Sequence, residues 1–183
     1  MSISTAPVPA ATSSGSPLPI VSLPQAGLLT VNETDVPRIE NALGEGIHFK
    51  PLRLDLENNE WVVLATFEPG AEIQIHYHTG PAEVYTLQGR WMYKEYQDQP
   101  QTPGSYLYEP GGSVHTFFAP ADNTEDTIIF VRVAGSNINF SEDGSFHSIL
   151  DAISLRHITD TLSAEQGLGE VRYLRGGEAG YTT

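Results

Sequence analysis

The chain has 183 residues, a length that fits one domain with a sizeable core, and a formal net charge of −14 with only nine Lys and Arg. Affinity for nucleic acid or an anionic membrane depends on clustered cations, so neither is an expected partner. There is no cysteine, which excludes disulfides, thiolate metal sites and cysteine nucleophiles; a protein-borne metal must then take His, carboxylate or carbonyl ligands, as iron, manganese, nickel, copper or a His-rich zinc site would.

The opening "MSISTAPVPAATSSGSPLPIVSLPQAG" is rich in Ser, Ala and Pro, with five prolines by Gln25. That composition predicts a flexible tail over residues 1–27 with no regular helix or central strand. Its "PIVSLP" piece is apolar enough to lie along a neighbouring subunit. No basic residue precedes Arg38 and no apolar stretch approaches the length of a membrane span, so neither a signal peptide nor a membrane anchor is expected and the cytoplasm is the default location.

Residues 28–183 read as a single domain. From Gly46 the runs "HFKPLRLDL", "EWVVLATFEP", "EIQIHYH", "EVYTLQGRWMYKEYQ", "GSYLYEP", "SVHTFFAP", "DTIIFVRVAG" and "INFSEDGS" are rich in β-branched and aromatic residues and are punctuated by Gly, Pro, Asn and Asp. They predict an all-β fold, a small antiparallel barrel or jelly roll. The stretch "HSILDAISLRHITDTLSAEQGLG" then carries Ile149, Leu150, Ile153, Ile158 and Leu162 near helical spacing, with Gly167 as the stop. No internal repeat, phosphate loop or nucleophile elbow is present.

Six histidines punctuate the chain. In a strand, side chains alternate faces, so Gln74, His76 and His78 share one face and Ile73, Ile75 and Tyr77 the other. Two imidazoles at that spacing can chelate one borderline metal ion. Downstream, "GSYLYEPGGSVHTFFAP" sets Gly104, Pro110, Gly112 and His115 in the order G-x5-P-x-G-x2-H. The EPGG turn ends one strand and His115 follows as the next begins, facing the first pair across a small barrel.

Together these stretches resemble the two cupin motifs, the first usually written G-x5-H-x-H-x3-4-E-x6-G. Gly70, His76, His78 and Glu83 match it, yet only five residues separate Glu83 from Gly89, and Ala119 stands where many cupins have Asn. A one-residue offset in a strand turns a side chain to the opposite face. Counted back from Gly89, the usual carboxylate position falls on Ala82, because "EVYTLQ" keeps strand register whereas "TGPA" is a loop that absorbs a shift. Glu83 is then not a ligand, and the site is a three-histidine site.

"HYHTGPAEVYTLQGRWMYKEY" with "GSYLYEPGGSVHTF" is similar to the cupin family of 2,4'-dihydroxyacetophenone dioxygenase and the acetylacetone-cleaving dioxygenases. The resemblance implies non-haem Fe(II) on His76, His78 and His115, and a role for Glu109 as the carboxylate that hydrogen-bonds a ligand histidine and fixes its tautomer. Zinc or nickel could replace iron in the isolated protein. Gln74 and Phe117 are expected to line the pocket, and Glu95 is a further candidate to approach metal or substrate. Tyr85, Trp91, Tyr93, Tyr106 and Tyr108 are read as packing, and His48, His147 and His157 as structural or surface residues.

The implied activity is cleavage by O2 of a C–C bond beside the carbonyl of a small β-diketone or α-hydroxyketone. Quercetinase-like oxygenation, isomerisation, lactone hydrolysis and a non-catalytic zinc-binding sensor stand as alternatives. The family habit of associating through barrel edges implies a homodimer or homotetramer.

Overall fold

The structure, a computed structural model, describes residues 6–22 and 28–177. The remainder of the predicted N-terminal tail, residues 1–5 and 23–27, lies outside them. The chain forms two compact units, Met1–Thr30 and Val31–Thr183.

In the first unit β1 (Val8–Ala11) pairs antiparallel with β2 (Pro17–Ser22). The turn closes on Thr12, whose N–H donates to the Ser16 carbonyl at 2.8 Å and whose Oγ1 accepts from the Ser16 N–H at 3.0 Å. Prolines 9, 17 and 19 are tolerated because a two-stranded ribbon consists only of edges, where a missing N–H need not break a ladder. Where composition predicts a tail without a central strand, residues 8–22 thus form a hairpin.

The second unit holds the remaining strands: β3 (Ile47–Asp55), β4 (Glu60–Phe67), β5 (His76–His78), β6 (Ala82–Gln88), β7 (Met92–Tyr93), β8 (Tyr106–Glu109), β9 (Val114–His115), β10 (Phe117–Phe118), β11 (Thr127–Ala134), β12 (Asn137–Phe140), β13 (Phe146–Leu150) and β14 (Leu174–Gly176), with one helix, α1 (Ala152–Glu165). They make a six-stranded sheet in the order β14-β3-β4-β11-β6-β8 and a four-stranded sheet in the order β13-β12-β5-β9, with β7 and β10 as a separate pair. Among the strands described, every pairing is antiparallel except that of β14 with β3. The fold is therefore the expected all-β jelly roll with a C-terminal helix, as facing sheets rather than a closed barrel.

Alternation drives this arrangement. Along β4, Trp61, Val63 and Ala65 turn inward while Glu60, Val62 and Leu64 are partly exposed. Inward residues of both sheets, among them Phe49, Val84, Ile129 and Leu150, fuse with Leu155 of α1 into one apolar core. Truncating any one of its Leu, Ile, Phe or Trp members to Ala is expected to cost about 2–5 kcal/mol.

Gly89 fixes the register of β6. Its φ is +74°, and a Cβ there would stand 2.7 Å from Thr127 Cα, so only glycine lets the end of β6 pass the start of β11.

The helix starts later than its apolar spacing predicts. Phe146–Leu150 is a strand paired with β12, and Asp151 then caps α1 by accepting the Ser154 N–H at 2.7 Å while Ser154 Oγ accepts the Asp151 N–H. Ile149 and Leu150 alternate outward and inward as strand residues do, which the helical spacing of the neighbouring Ile153 obscures. Gly167, with φ +68°, follows the helix as expected. Among the described residues no helix is long and apolar enough to cross a membrane.

Candidate metal centre

Three histidines meet because β5 pairs with β9. His76 lies directly opposite His115 in the ladder, and His78, two residues on, points to the same face as His76. Further backbone bonds tie the EPGG turn to this strand: Gly112 N–H donates to the His78 carbonyl at 2.7 Å, and His78 N–H donates to the Ser113 carbonyl at 3.0 Å. His115 is therefore a neighbour of the first pair within one sheet, not a residue facing it across a barrel, because the turn folds β9 back beside β5.

All three side chains are buried, and one ring nitrogen from each lies within 4.8 Å of the others. His76 Nδ1 donates to the Gln74 carbonyl at 2.8 Å, which leaves Nε2 with its lone pair. The Nε2 atoms of His78 and His115 are 3.0 Å apart, and Glu109 Oε2 stands 3.0 Å from the first and 3.5 Å from the second. Lone-pair atoms so close repel unless protons or a cation lie among them. A cation with bonds of about 2.1 Å sets adjacent donor atoms about 3.0 Å apart. Imidazole nitrogens with a carboxylate at these spacings fit a borderline divalent metal such as iron or zinc.

Burial, reinforced by the neighbouring rings of His115 and His78, pushes His76 down to about 4, so it is neutral near pH 7. Burial alone would raise Glu109, but hydrogen bonds from His115 and His78 hold its carboxyl well below the usual range, and it is ionised. Tyr93 donates its hydroxyl to Glu109 Oε1 and stacks on His115 with ring centroids 3.9 Å apart and planes at 21°. Burial, then the Glu109 charge, pushes the Tyr93 phenol well up, so it stays a donor.

Two cavities adjoin the histidines. An inner one of about 60 Å³ has apolar walls, including Trp61, Val84, Phe117 and Ile129. An outer cleft of about 260 Å³ is edged by Tyr96, Gln99 and Gln101. Tyr93 and Glu109 line both.

Phe117 lines the inner cavity as expected, between Trp91 and Phe67 at centroid distances of 4.9 and 4.2 Å. Gln74 does not line it: residues 73–75 precede β5, alternation does not reach back to them, and Gln74 is exposed, contributing only its carbonyl to His76. Ile73, assigned to the opposite face, lines the cavity instead. Glu95 sits in a 3-10 turn (Lys94–Tyr96) away from both cavities, its carboxylate accepting from Thr116 N–H at 2.9 Å and Thr116 Oγ1 at 3.1 Å. It braces the residue after His115.

Glu83 faces out and bonds Arg132 at 3.0 Å, while Ala82 is buried beside the cavity. Glu109 stands within reach of two of the histidines, as the resemblance implies, and approaches them at the converging Nε2 atoms. Tyr93 is the residue that sequence reasoning missed, its partner lying 16 positions away on a strand of another sheet. Of the other aromatics read as packing, Trp91 is fully buried, but Tyr85, Tyr106 and Tyr108 are exposed. His48 is buried on β3, and His147 and His157 are exposed.

A jelly roll of two sheets carrying three convergent histidines defines the cupin class. The family model described as the ChrR cupin-like domain matches residues 29–136, more than half of the chain, and the chain belongs to that family. A crystal structure of a cupin-like protein of unknown function from Ralstonia eutropha JMP134 is 38% identical, covering 88% of this chain and 100% of its own, with a TM-score of 0.82. An RmlC-like cupin from the same organism is 26% identical over 79% of this chain and 90% of its own, with a TM-score of 0.69. An acetylacetone dioxygenase from Acinetobacter johnsonii shares the fold at 17% identity, covering 74% of this chain and 91% of its own, with a TM-score of 0.61. No curated protein matches the chain.

Proposed function

We propose that this protein is a non-haem iron dioxygenase that splits the C–C bond beside the carbonyl of a small β-diketone or α-hydroxyketone. The observation that carries this reading is the convergence of His76, His78 and His115 beside an apolar cavity. A protein named acetylacetone dioxygenase shares the fold, which makes the architecture compatible with that chemistry.

A divalent iron held by these residues would act as a Lewis acid for the substrate's oxygens and as a site for O2, the electrons that reduce O2 coming from the substrate. The chain's own contribution is binding, orientation and exclusion of water. Trp61, Val84, Phe117 and Ile129 surround the substrate's carbon skeleton with apolar surface. The Gln74 carbonyl fixes the His76 ring, and Tyr93 fixes the Glu109 carboxylate. Substrate plus O2 equals the two fragments, an acid with either a second acid or an α-oxo product, so no other oxidant is needed.

One observation favours a second reading, a zinc-binding sensor without catalysis: Glu109 adds a fourth donor beside the histidines, and structural zinc sites are closed by four protein ligands. Incubating iron-loaded protein with acetylacetone, and separately with 2,4'-dihydroxyacetophenone, under labelled O2 tests the proposal. Cleavage with one labelled oxygen in each fragment is expected. Turnover under nitrogen at the aerobic rate overturns it, and so does the absence of oxygen uptake with both compounds in protein whose native metal proves to be zinc.

A further inference from the structure

We propose that Glu109 is itself a metal ligand, supplying from β8 the carboxylate that the first cupin motif would place at position 82 of β6. This rests on the metal centre proposed above and changes its donor set from three histidines to three histidines and a carboxylate.

Glu109 is the direct cross-strand partner of Ala82, and both line the inner cavity. Facing residues of an antiparallel pair project side by side from the same face of the sheet. A carboxylate on either can therefore reach similar space, and the methyl group of Ala82 leaves that space to Glu109.

The atoms that meet are those a metal would join. A carboxylate that only orients a ligand histidine bonds the ring nitrogen turned away from the metal. His76 shows that pattern, with Nδ1 on the Gln74 carbonyl. Glu109 Oε2 instead approaches Nε2 of His78 at 3.0 Å and Nε2 of His115 at 3.5 Å, the two nitrogens that face each other at 3.0 Å. The His78 Nδ1 atom, where an orienting partner would bond, is buried without one.

Charge balance calls for a cation at the same point. Glu109 is 5% exposed, and its ion-pair partners among the described residues are these two histidines. A buried carboxylate needs a compensating cation, and a divalent ion among the three atoms provides it without protonating either imidazole. The Tyr93 hydroxyl occupies Oε1, which aims Oε2 at the nitrogens as a single-oxygen donor.

The test is anaerobic titration of the metal-free full chain with Co(II), whose visible spectrum reports its ligands. Wild type, Glu109→Gln, which keeps side-chain size, and Ala82→Glu combined with Glu109→Ala are compared with Glu109→Ala alone. Glu109→Gln is expected to alter the Co(II) spectrum and weaken binding more than about 100-fold, beyond the roughly 10- to 100-fold that loss of an orienting partner costs. The double variant is expected to bind at least about tenfold more tightly than Glu109→Ala, its carboxylate now arriving from the facing strand. A wild-type spectrum in folded Glu109→Gln overturns the proposal, whatever happens to affinity. A folded double variant that binds no better than Glu109→Ala overturns the cross-strand argument. Wild-type protein that takes up no Co(II) removes the metal centre itself, an outcome distinct from both.

Discussion

Replacing Tyr93 by Phe removes one oxygen atom and leaves the ring. The stack on His115 at 3.9 Å and the edge contact with Trp91 at 5.2 Å are both available to a phenyl ring, so packing is preserved. What disappears is the hydroxyl donor to Glu109 Oε1, inside a site where Glu109 is 5% exposed. A hydrogen bond to a charged group contributes about 1.5–3 kcal/mol. Taking about 2 kcal/mol, and about 2–4 °C per kcal/mol for a domain of this size, the metal-free protein should melt about 4–8 °C lower. Thermal unfolding followed by circular dichroism, wild type against Tyr93→Phe at one pH, measures this. The same variant should bind metal more weakly, because Glu109 loses the donor that aims it. A melting temperature within about 1 °C of wild type would refute the reasoning, since a buried carboxylate cannot lose its phenol donor at no cost.

Glu83→Gln removes one half of the pair with Arg132, whose side chains are 39% and 37% exposed; it should cost about 0.2–1 kcal/mol of stability and leave metal affinity unchanged, by denaturant titration and metal binding respectively. Acid should destabilise the metal-free protein. The folded-state value of His76 is about 4 against an ordinary 6.5, so between those values the unfolded chain binds the extra proton and stability rises with pH. Glu109, held below its ordinary value of 4.5, adds stability that is present above that value and lost as pH falls below it. The urea midpoint of metal-free protein should therefore be lower at about pH 5 than at about pH 7, and equal midpoints would contradict the His76 assignment, whereas the Glu109 contribution is read from a further fall in midpoint below about pH 4.5.

Local periodicity carried the strands and the His76–His78 pair, and it failed where periodicity ended. His76 and His78 were legible because they lie within one strand and share a face by covalent geometry alone. Gln74 was misplaced by extending the same alternation into residues 73–75, which are not strand. The reverse error befell residues 147–150: Ile149, Leu150 and Ile153 satisfy helical spacing, but pairing with β12 outweighs that local preference, and the Asp151 cap begins the helix afterwards. Pairing partners were out of reach for a different reason. That His115 lies beside His76, and that Tyr93 meets Glu109, depends on which strands become neighbours, and no short window of sequence encodes it.

The spacing between His78 and Gly89 shows how one residue can rearrange a site without disturbing the sheet around it. Gly89 cannot move, because its Cα passes too close to Thr127 for any side chain, so the register of β6 is held from that end. A carboxylate at position 83 then faces outward, where Arg132 meets it at 3.0 Å, and position 82 faces the histidines with only a methyl group. Had residue 82 been large, its side chain would compete with that of its cross-strand partner for the same volume. With alanine there, Glu109 can extend inward until its oxygen stands 3.0 Å from His78 Nε2. The outward turn of Glu83 and the inward reach of Glu109 are thus two results of one register, which is why exchanging carboxylate between positions 82 and 109 tests the site more sharply than deleting either residue.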